Sequence, residues 1–337
     1  MSPTPPGDTP PHASVLLKET LAALNPQPGH CAVDATLGAG GHSAALIERI
    51  GPGGILIGID ADTSALELSR TRLAPLAEKH SVTLHLVHSN FSRIPEILNE
   101  LHAPPPNAIL ADIGVSSMQF DDPGRGFSFR ADEPLDMRMD RSQPRTAADI
   151  LRESSEEEIA DILFQYGDEH KSRRIARAIV QQRATNPIDT TGKLEELVRH
   201  ALRVMDRRRV HPATKTFQAL RIAVNRELDV LDDLLRDAPD LLAPNGTLAI
   251  IAFHSLEDRR VKQAFKALCA TSRFNQQEKF IRPSAEEEQS NPRSRSAIMR
   301  AIQKSSFTAE DAEARGGKAG EWRKKRRQKR LDNPTTL

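Results

Sequence analysis

Three aspartates, a glycine-rich turn and two polar loops are the parts of this chain whose residue types and spacing could do chemistry. The first aspartate opens the stretch Asp34-Ala-Thr-Leu-Gly-Ala-Gly-Gly-His42. The apolar run Cys31-Ala-Val33 leads into it, and the helical pattern Ser43–Ile50 leaves it. Strand, tight turn and helix in that order are how an α/β sheet opens a nucleotide-shaped site. A Cβ on the glycines would keep a ligand off the backbone. Asp60 ends the next apolar run, Ile55–Ile59, 26 positions after Asp34. A carboxylate there can accept hydrogen bonds from both hydroxyls of a ribose. Gly38 and Gly40 give G-x-G, but Ser43 stands where a dinucleotide fingerprint has its third glycine. The turn therefore suits a nucleoside better than a pyrophosphate.

Ligands of open parallel sheets bind outside the carboxyl ends of the strands. Asp112 ends a fourth apolar run and begins a long loop, Asp112-Ile-Gly-Val-Ser-Ser-Met-Gln119, that continues to Phe129. Long loops in compact domains are usually functional. After a fifth apolar run comes Phe253-His-Ser-Leu-Glu-Asp-Arg-Arg260. His254 and Ser255 do not read as a hydrolase pair, because neighbours on a strand point to opposite faces and no G-x-S-x-G elbow exists. Ser255 fits a helix start and an acceptor-site role equally well.

These residues need a frame to position them. Strand signals at Cys31–Thr36, Ile55–Asp60, Val82–His88 and Ala108–Ile113 alternate with helix signals at Ser43–Ile50, Ser64–Ala77 and Ile94–Leu101. Such alternation implies a parallel sheet with helices on both faces. After Asp112 it stops, and only helix signals follow: Thr146–Glu153, Ser155–Tyr166, His170–Arg183 and Thr191–Met205. A helix Thr216–Leu235 then leads into the strand Thr247–Phe253, and Pro292–Ile302 could add a last strand. The expected fold class is α/β, a doubly wound, Rossmann-like domain interrupted by an all-helical insertion. The expected boundaries are a disordered N-terminus 1–11, sheet domain 12–140, helical insertion 141–212, sheet domain resumed 213–304, and a basic, disordered tail 305–337.

Composition narrows the partners. The chain has 337 residues, a formal net charge of +1 and 4% aromatic residues, so binding of nucleic acid must come from local patches rather than overall charge. Arg173 and Arg177 share one helix face, and Arg207, Arg208 and Arg209 form a run, making candidate phosphate-backbone contacts. Two cysteines, Cys31 and Cys269, make neither a disulfide framework nor a zinc site, and no metal is expected. No apolar run approaches the ~20 residues of a membrane span, so a cytoplasmic protein is expected.

An acidic residue four positions before the first glycine resembles motif I of S-adenosylmethionine-dependent methyltransferases. More specific runs then join it in order: His12–Glu19, Asp34–Ser43, Asp112–Ser117, Arg125–Phe129, Pro134–Asp140, His211–Thr214, Phe253–Arg259 and Asn291–Ser296. Together they resemble the bacterial small-subunit ribosomal RNA cytosine-N4 methyltransferases of the MraW/RsmH type, from about His12 to Ile302. The resemblance implies S-adenosylmethionine as donor, bound by Gly38, Gly40, Gly41, His42, Asp60, Phe91, Asp112 and Gln119. It implies a cytidine in the decoding region of small-subunit ribosomal RNA, or of the assembling subunit, as acceptor. Met118 departs from the family, which often has proline there. Oligomeric state, monomer or dimer, is left open, as is whether Asp112 serves the cofactor, the acceptor amine, or both.

Overall fold

The computed structural model describes residues 14–116, 119–120, 122–203 and 211–306. The expected disordered N-terminus 1–11, Arg207, Arg208 and Arg209, and all but the first two residues of 305–337 lie outside them.

A seven-stranded sheet organises the fold, in the order β3-β2-β1-β4-β5-β7-β6. Its strands are β1 (Cys31–Asp34), β2 (Ile55–Asp60), β3 (Thr83–His88), β4 (Ala108–Asp112), β5 (Thr247–Ala252), β6 (Phe274–Gln276) and β7 (Ile298–Lys304). Strands β1 to β5 run parallel, while β7 pairs antiparallel to both β5 and β6. The strand order reverses at β1, which has β2 on one side and β4 on the other. That reversal is where the carboxyl edge of a doubly wound sheet opens a crevice. Asp34 pairs with Gly58 on one side and with Leu110 on the other, so Asp34, Asp60 and Asp112 come out along one edge.

Period-two alternation splits the strand residues between two cores. Val33, Ile57, Ile109 and Ile250 pack on one face with Leu231, Leu234, Val261 and Phe265 from later helices. Ala32, Leu56, Leu110 and Ile251 pack on the other with Leu16, Leu46, Ile47 and Leu73. Both faces are covered, so the strands read as continuous apolar runs rather than alternating ones. No helix among the described residues is long and apolar enough to cross a membrane.

A third apolar cluster belongs to the helical layer, formed by Ala147–Glu153, Glu156–Gly167, Ser172–Arg183, Thr191–Leu202 and Thr214–Asn225. Two of these helices open with capping boxes, Thr146 with Asp149 and Ser155 with Glu158. The cluster takes in Phe127, Leu135 and Met137 from the segment before these helices, and Phe217, Leu220 and Val224 from the last of them.

Sequence periodicity reads Thr216–Leu235 as one helix, but the structure makes two, Thr214–Asn225 and Glu227–Leu241, broken at Arg226 with φ 51°. The reason is division of labour: the first packs into the helical layer and the second onto the sheet. Asn225 fixes the break. Its Nδ2 donates to the Met137 carbonyl at 2.8 Å and its Oδ1 accepts from the Met139 N–H at 2.7 Å. Arg221 spans the break with a bidentate pair to Glu227, both contacts 2.8 Å. The last strand also differs from the Pro292–Ile302 reading: Pro292–Ser296 is a 3₁₀ turn and pairing starts at Ile298. Proline lacks the N–H that a ladder needs.

Asn225→Ala should lower unfolding stability by about 2–3 kcal/mol, because it strands the Met139 N–H and the Met137 carbonyl. Urea titration checks this; an unchanged midpoint would remove Asn225 as the fastener of the two layers.

Candidate active site

The glycine turn is shaped more by the protein than by room for a ligand. Gly38 has φ 51° and Gly40 φ 73°, a region that suits glycine. A Cβ on Gly40 would meet Leu73 and Ser69 at 3.1 Å, and one on Gly41 would fall 2.0 Å from Ser14 Oγ. The expectation that these glycines clear space for a ligand therefore holds only in part: Gly40 and Gly41 admit neighbouring chain segments. The turn is pinned by Asp60, whose Oδ2 accepts from the Gly38 N–H and whose Oδ1 accepts from the Asp62 N–H, each at 2.8 Å. Each oxygen keeps a lone pair for a further donor. Burial pushes the Asp60 carboxyl up to about 6, with the two N–H groups opposing the rise.

Behind the turn lies a buried polar chain. Asp34 accepts from Ser43 Oγ at 2.6 Å, and burial raises its carboxyl against the pull of His42. The His42 Nε2 lies 3.0 Å from the Val15 carbonyl, so Nε2 carries the proton and donates. Burial lowers the His42 ring's affinity for a second proton, outweighing Asp34. Its Nδ1 faces Asp112 Oδ2 at 3.8 Å. The Asp112 side chain is 22% exposed, yet its Oδ1 is enclosed and has no hydrogen-bond partner among the described residues. Burial, then the charges of Asp34 and Glu257, push the Asp112 carboxyl up to about 8. An orphaned oxygen of this kind calls for a polar ligand group.

Gln119 closes a second network. Its Nε2 donates to Asp62 Oδ2 at 3.1 Å, beside Arg125 Nη2, which donates to the same oxygen at 2.7 Å. Arg125 and Asp62 are 3% and 4% exposed, so this is a buried pair. Burial alone would raise the Asp62 carboxyl, but hydrogen bonds from Arg125 and Gln119 hold it below its ordinary value. Arg125 also donates to the carbonyls of Arg138 and Met139. Ser117 and Met118, the departure from the family pattern, lie outside the described residues.

One cavity of about 250 Å³ joins these parts. Gly38, Gly41, His42, Asp60, Phe91, Asp112 and Gln119 all line it. Gly40 does not, and neither does Ser255, which is exposed in the first turn of the helix Ser255–Ala270. The helix is capped by His254 in a box with Glu257, not by Ser255. Sequence reasoning missed several lining residues, among them Asn225, Glu227, Glu257 and Arg293. The capping-box spacing His254-x-x-Glu257 was the available signal for Glu257. Glu227, His254 and Glu257 bring possible metal-ligand atoms within 4.8 Å of one another. Glu227, however, commits both oxygens to Arg221. Away from this cavity, Arg173 and Arg177 line a surface cleft with Arg174 and Arg203. Arg177 also approaches Glu156 at 3.4 Å.

The cavity wall presents spare acceptor capacity at Asp60, the flat apolar ring of Phe91 and an unpartnered oxygen of Asp112, the kinds of group that a nucleoside with a charged tail would need. In the ligand-free protein, Asp112 binds a proton more tightly folded than unfolded. Its contribution to stability is thus full below about 3.8 and lost as pH rises through about 8. Asp60 adds a contribution of the same sign that is spent by about pH 6. Thermal unfolding midpoints should therefore fall between pH 6 and 9, and Asp112→Asn should flatten that slope. An equal slope in the variant would contradict the assignment.

Comparison with known proteins agrees with this geometry. Residues 9–305 match the MraW methylase family. "Ribosomal RNA small subunit methyltransferase H" of Sorangium cellulosum is 48% identical over 293 residues, covering 87% of this chain and 90% of its own length. The proteins of the same name from Symbiobacterium thermophilum and Syntrophotalea carbinolica are 44% and 46% identical, each over 87% of this chain and 96% and 98% of their own lengths. The chain belongs to the MraW methylase family, enzymes whose methyl donor is S-adenosylmethionine.

Proposed function

We propose that this enzyme transfers the methyl group of S-adenosylmethionine to the exocyclic N4 of a cytidine in the decoding region of small-subunit ribosomal RNA. The observation that carries this reading is the single cavity that joins the donor motif to the loops after β4 and β5. The names of the relatives supply the RNA. Asp60 would hold the ribose of the donor, Phe91 would cover its base, and Gly38, Gly41, His42 and Gln119 would shape its bed. Asp112 would serve the donor's amino-acid end, the acceptor amine, or both.

The N4 lone pair is delocalised into the ring, so the amine is a poor nucleophile. Direct in-line transfer needs acceptors for its N–H groups and a fixed approach to the sulfonium methyl, which supplies the transferable carbon. The rate gain then comes from positioning and local electrostatics. The base must be unstacked or single-stranded to enter. Methylation at C5 instead requires a cysteine nucleophile. Cys31 is buried at the start of β1, its thiol pushed up to about 11 by burial, and neither cysteine lines the cavity. That observation favours nitrogen over carbon as the acceptor.

Purified enzyme should transfer labelled methyl to small subunits from a strain lacking it. Mass spectrometry of the nucleosides should find N4-methylcytidine. No transfer at any assembly stage would support a non-catalytic assembly role, and methyl on carbon would overturn the mechanism.

The helical layer is the proposed RNA grip. Four arginines, Arg173, Arg174, Arg177 and Arg203, share one cleft, and Arg207, Arg208 and Arg209 follow in sequence. Clustered guanidinium groups suit phosphates and displace counterions. Arg173→Glu with Arg177→Glu should raise KM for the subunit at least about tenfold and reduce its salt dependence by roughly two phosphate contacts. Cofactor affinity should hold. Unchanged kinetics across a salt titration would remove this face from the RNA path.

A further inference from the structure

The cavity extends past the residues assigned to the donor. Beyond Asp112 its wall is built by Asn225, Glu227, Val230, Phe253 and Glu257. Glu257 is 2% exposed yet lines this space. Its Oε2 accepts from the Phe253 N–H at 2.9 Å and the His254 N–H at 3.2 Å. These bonds anchor one carboxylate oxygen at the carboxyl end of β5. The other, Oε1, lies 2.9 Å from His254 Nε2, but off the hydrogen-bond axis, so Nε2 is a buried donor without a partner. His254 Nδ1 faces the Glu257 N–H at 3.4 Å, which assigns the ring proton to Nε2. Three groups here have capacity to spare: Asp112 Oδ1, His254 Nε2 and Glu257 Oε1.

Glu227, the other carboxylate of this wall, is in a different state. Arg221 grips both of its oxygens. Among the described residues, Glu257 accepts from two backbone N–H groups, both on Oε2, while the His254 ring lies against Oε1 without a hydrogen bond to it. Glu257 and Asp112 line the same cavity, and the Glu257 charge adds to the rise of the Asp112 carboxyl. The free carboxylate edge therefore lies beside the donor's end of the cavity.

We propose that Glu257 recognises the acceptor base by accepting an N–H of its exocyclic amine, and that it takes the proton the amine must lose. This rests on the N4-cytidine reading above. A carboxylate accepts from the N4 amine of cytosine, whereas uracil would set its O4 acceptor against it. Drawing on one N–H also returns lone-pair density to nitrogen. That nitrogen supplies the electron pair of the new N–C bond, and the C–S pair stays on sulfur as a thioether. The surplus proton of nitrogen passes to the Glu257 carboxylate. His254 Nε2, a donor 2.9 Å from Glu257 Oε1, then faces the N3 acceptor that adjoins the amine on the same edge of cytosine.

The test uses the full chain, unmethylated small subunits and labelled S-adenosylmethionine. Glu257→Gln keeps an oxygen for the backbone N–H groups but loses the charge. It should cut kcat by about 100-fold with cofactor Kd within threefold of wild type, and Glu257→Asp should restore part of the rate. A rate within threefold of wild type overturns the proposal. So does a cofactor affinity that falls in step with the rate, since Glu257 would then be serving the donor. If the Gln variant does not fold, Glu257→Asp, which keeps the charge but withdraws it by one methylene, should lose part of kcat with cofactor Kd unchanged, and full kcat in that variant overturns the proposal. Nucleoside analysis of the wild-type product separates the two readings. Methyl anywhere but cytidine N4 overturns the parent function. N4-methylcytidine made at full rate by Glu257→Gln overturns this inference alone.

Discussion

The structure depends on keeping carboxylates out of bulk water at the carboxyl edge of a parallel sheet. Asp34, Asp60 and Asp112 end three neighbouring or near-neighbouring strands, and each strand is buried on both faces. Burying a charged group is costly unless it is hydrogen-bonded or neutralised. Each aspartate meets that cost differently. Asp34 takes a short bond from Ser43. Asp60 takes two backbone N–H groups. Asp112 has an oxygen with no partner among the described residues and is held toward its neutral form. The least satisfied of the three is the one proposed above to stand between donor and acceptor.

The same constraint explains how the helical layer communicates with the donor edge. Asp62, two residues past Asp60, would keep the Gln119 amide and the Ser64 N–H without Arg125 but would lose the only countercharge the buried pair gives it. Arg125 in turn sits on the carbonyls of Arg138 and Met139, in the segment that Asn225 fastens to the helical layer. Breaking a buried pair of this sort by removing one partner typically costs about 3–5 kcal/mol, because the survivor is left uncompensated. The loop carrying Gln119 is thus held from both sides, by the donor edge and by the insertion. Gly126 fits this tight path: a Cβ there would fall 2.4 Å from the Pro134 carbonyl.

The break at Arg226 does comparable work on the far wall of the cavity. A continuous helix would satisfy one apolar stripe, but the two halves serve cores lying in different directions. The turn at the break carries Asn225 and Glu227 to the cavity wall. Arg221 neutralises Glu227 across the break, leaving Glu257 as the carboxylate with an available edge.

Short-range signals in the sequence carry the class of fold and pick out residues that the fold gathers around one cavity. Local signals are strong there: apolar strands buried on both faces, glycines at left-handed positions, and acidic residues at strand ends all follow from short-range rules. Seven of the eight residues expected at the donor line the cavity, Gly40 being the exception. Tertiary structure decided the rest. It buried Glu257 against the cavity and left Ser255 exposed, because the helix cap turns the third residue inward and the first outward. It split a helix that periodicity alone makes continuous, because periodicity records that a face is apolar and not which core it meets. It ran the last strand antiparallel, a choice made by the chain's return path rather than by its composition. Residues that act by closing space between distant segments, such as Asn225 and Arg125, have no local signature, since their partners are fixed only when the layers pack.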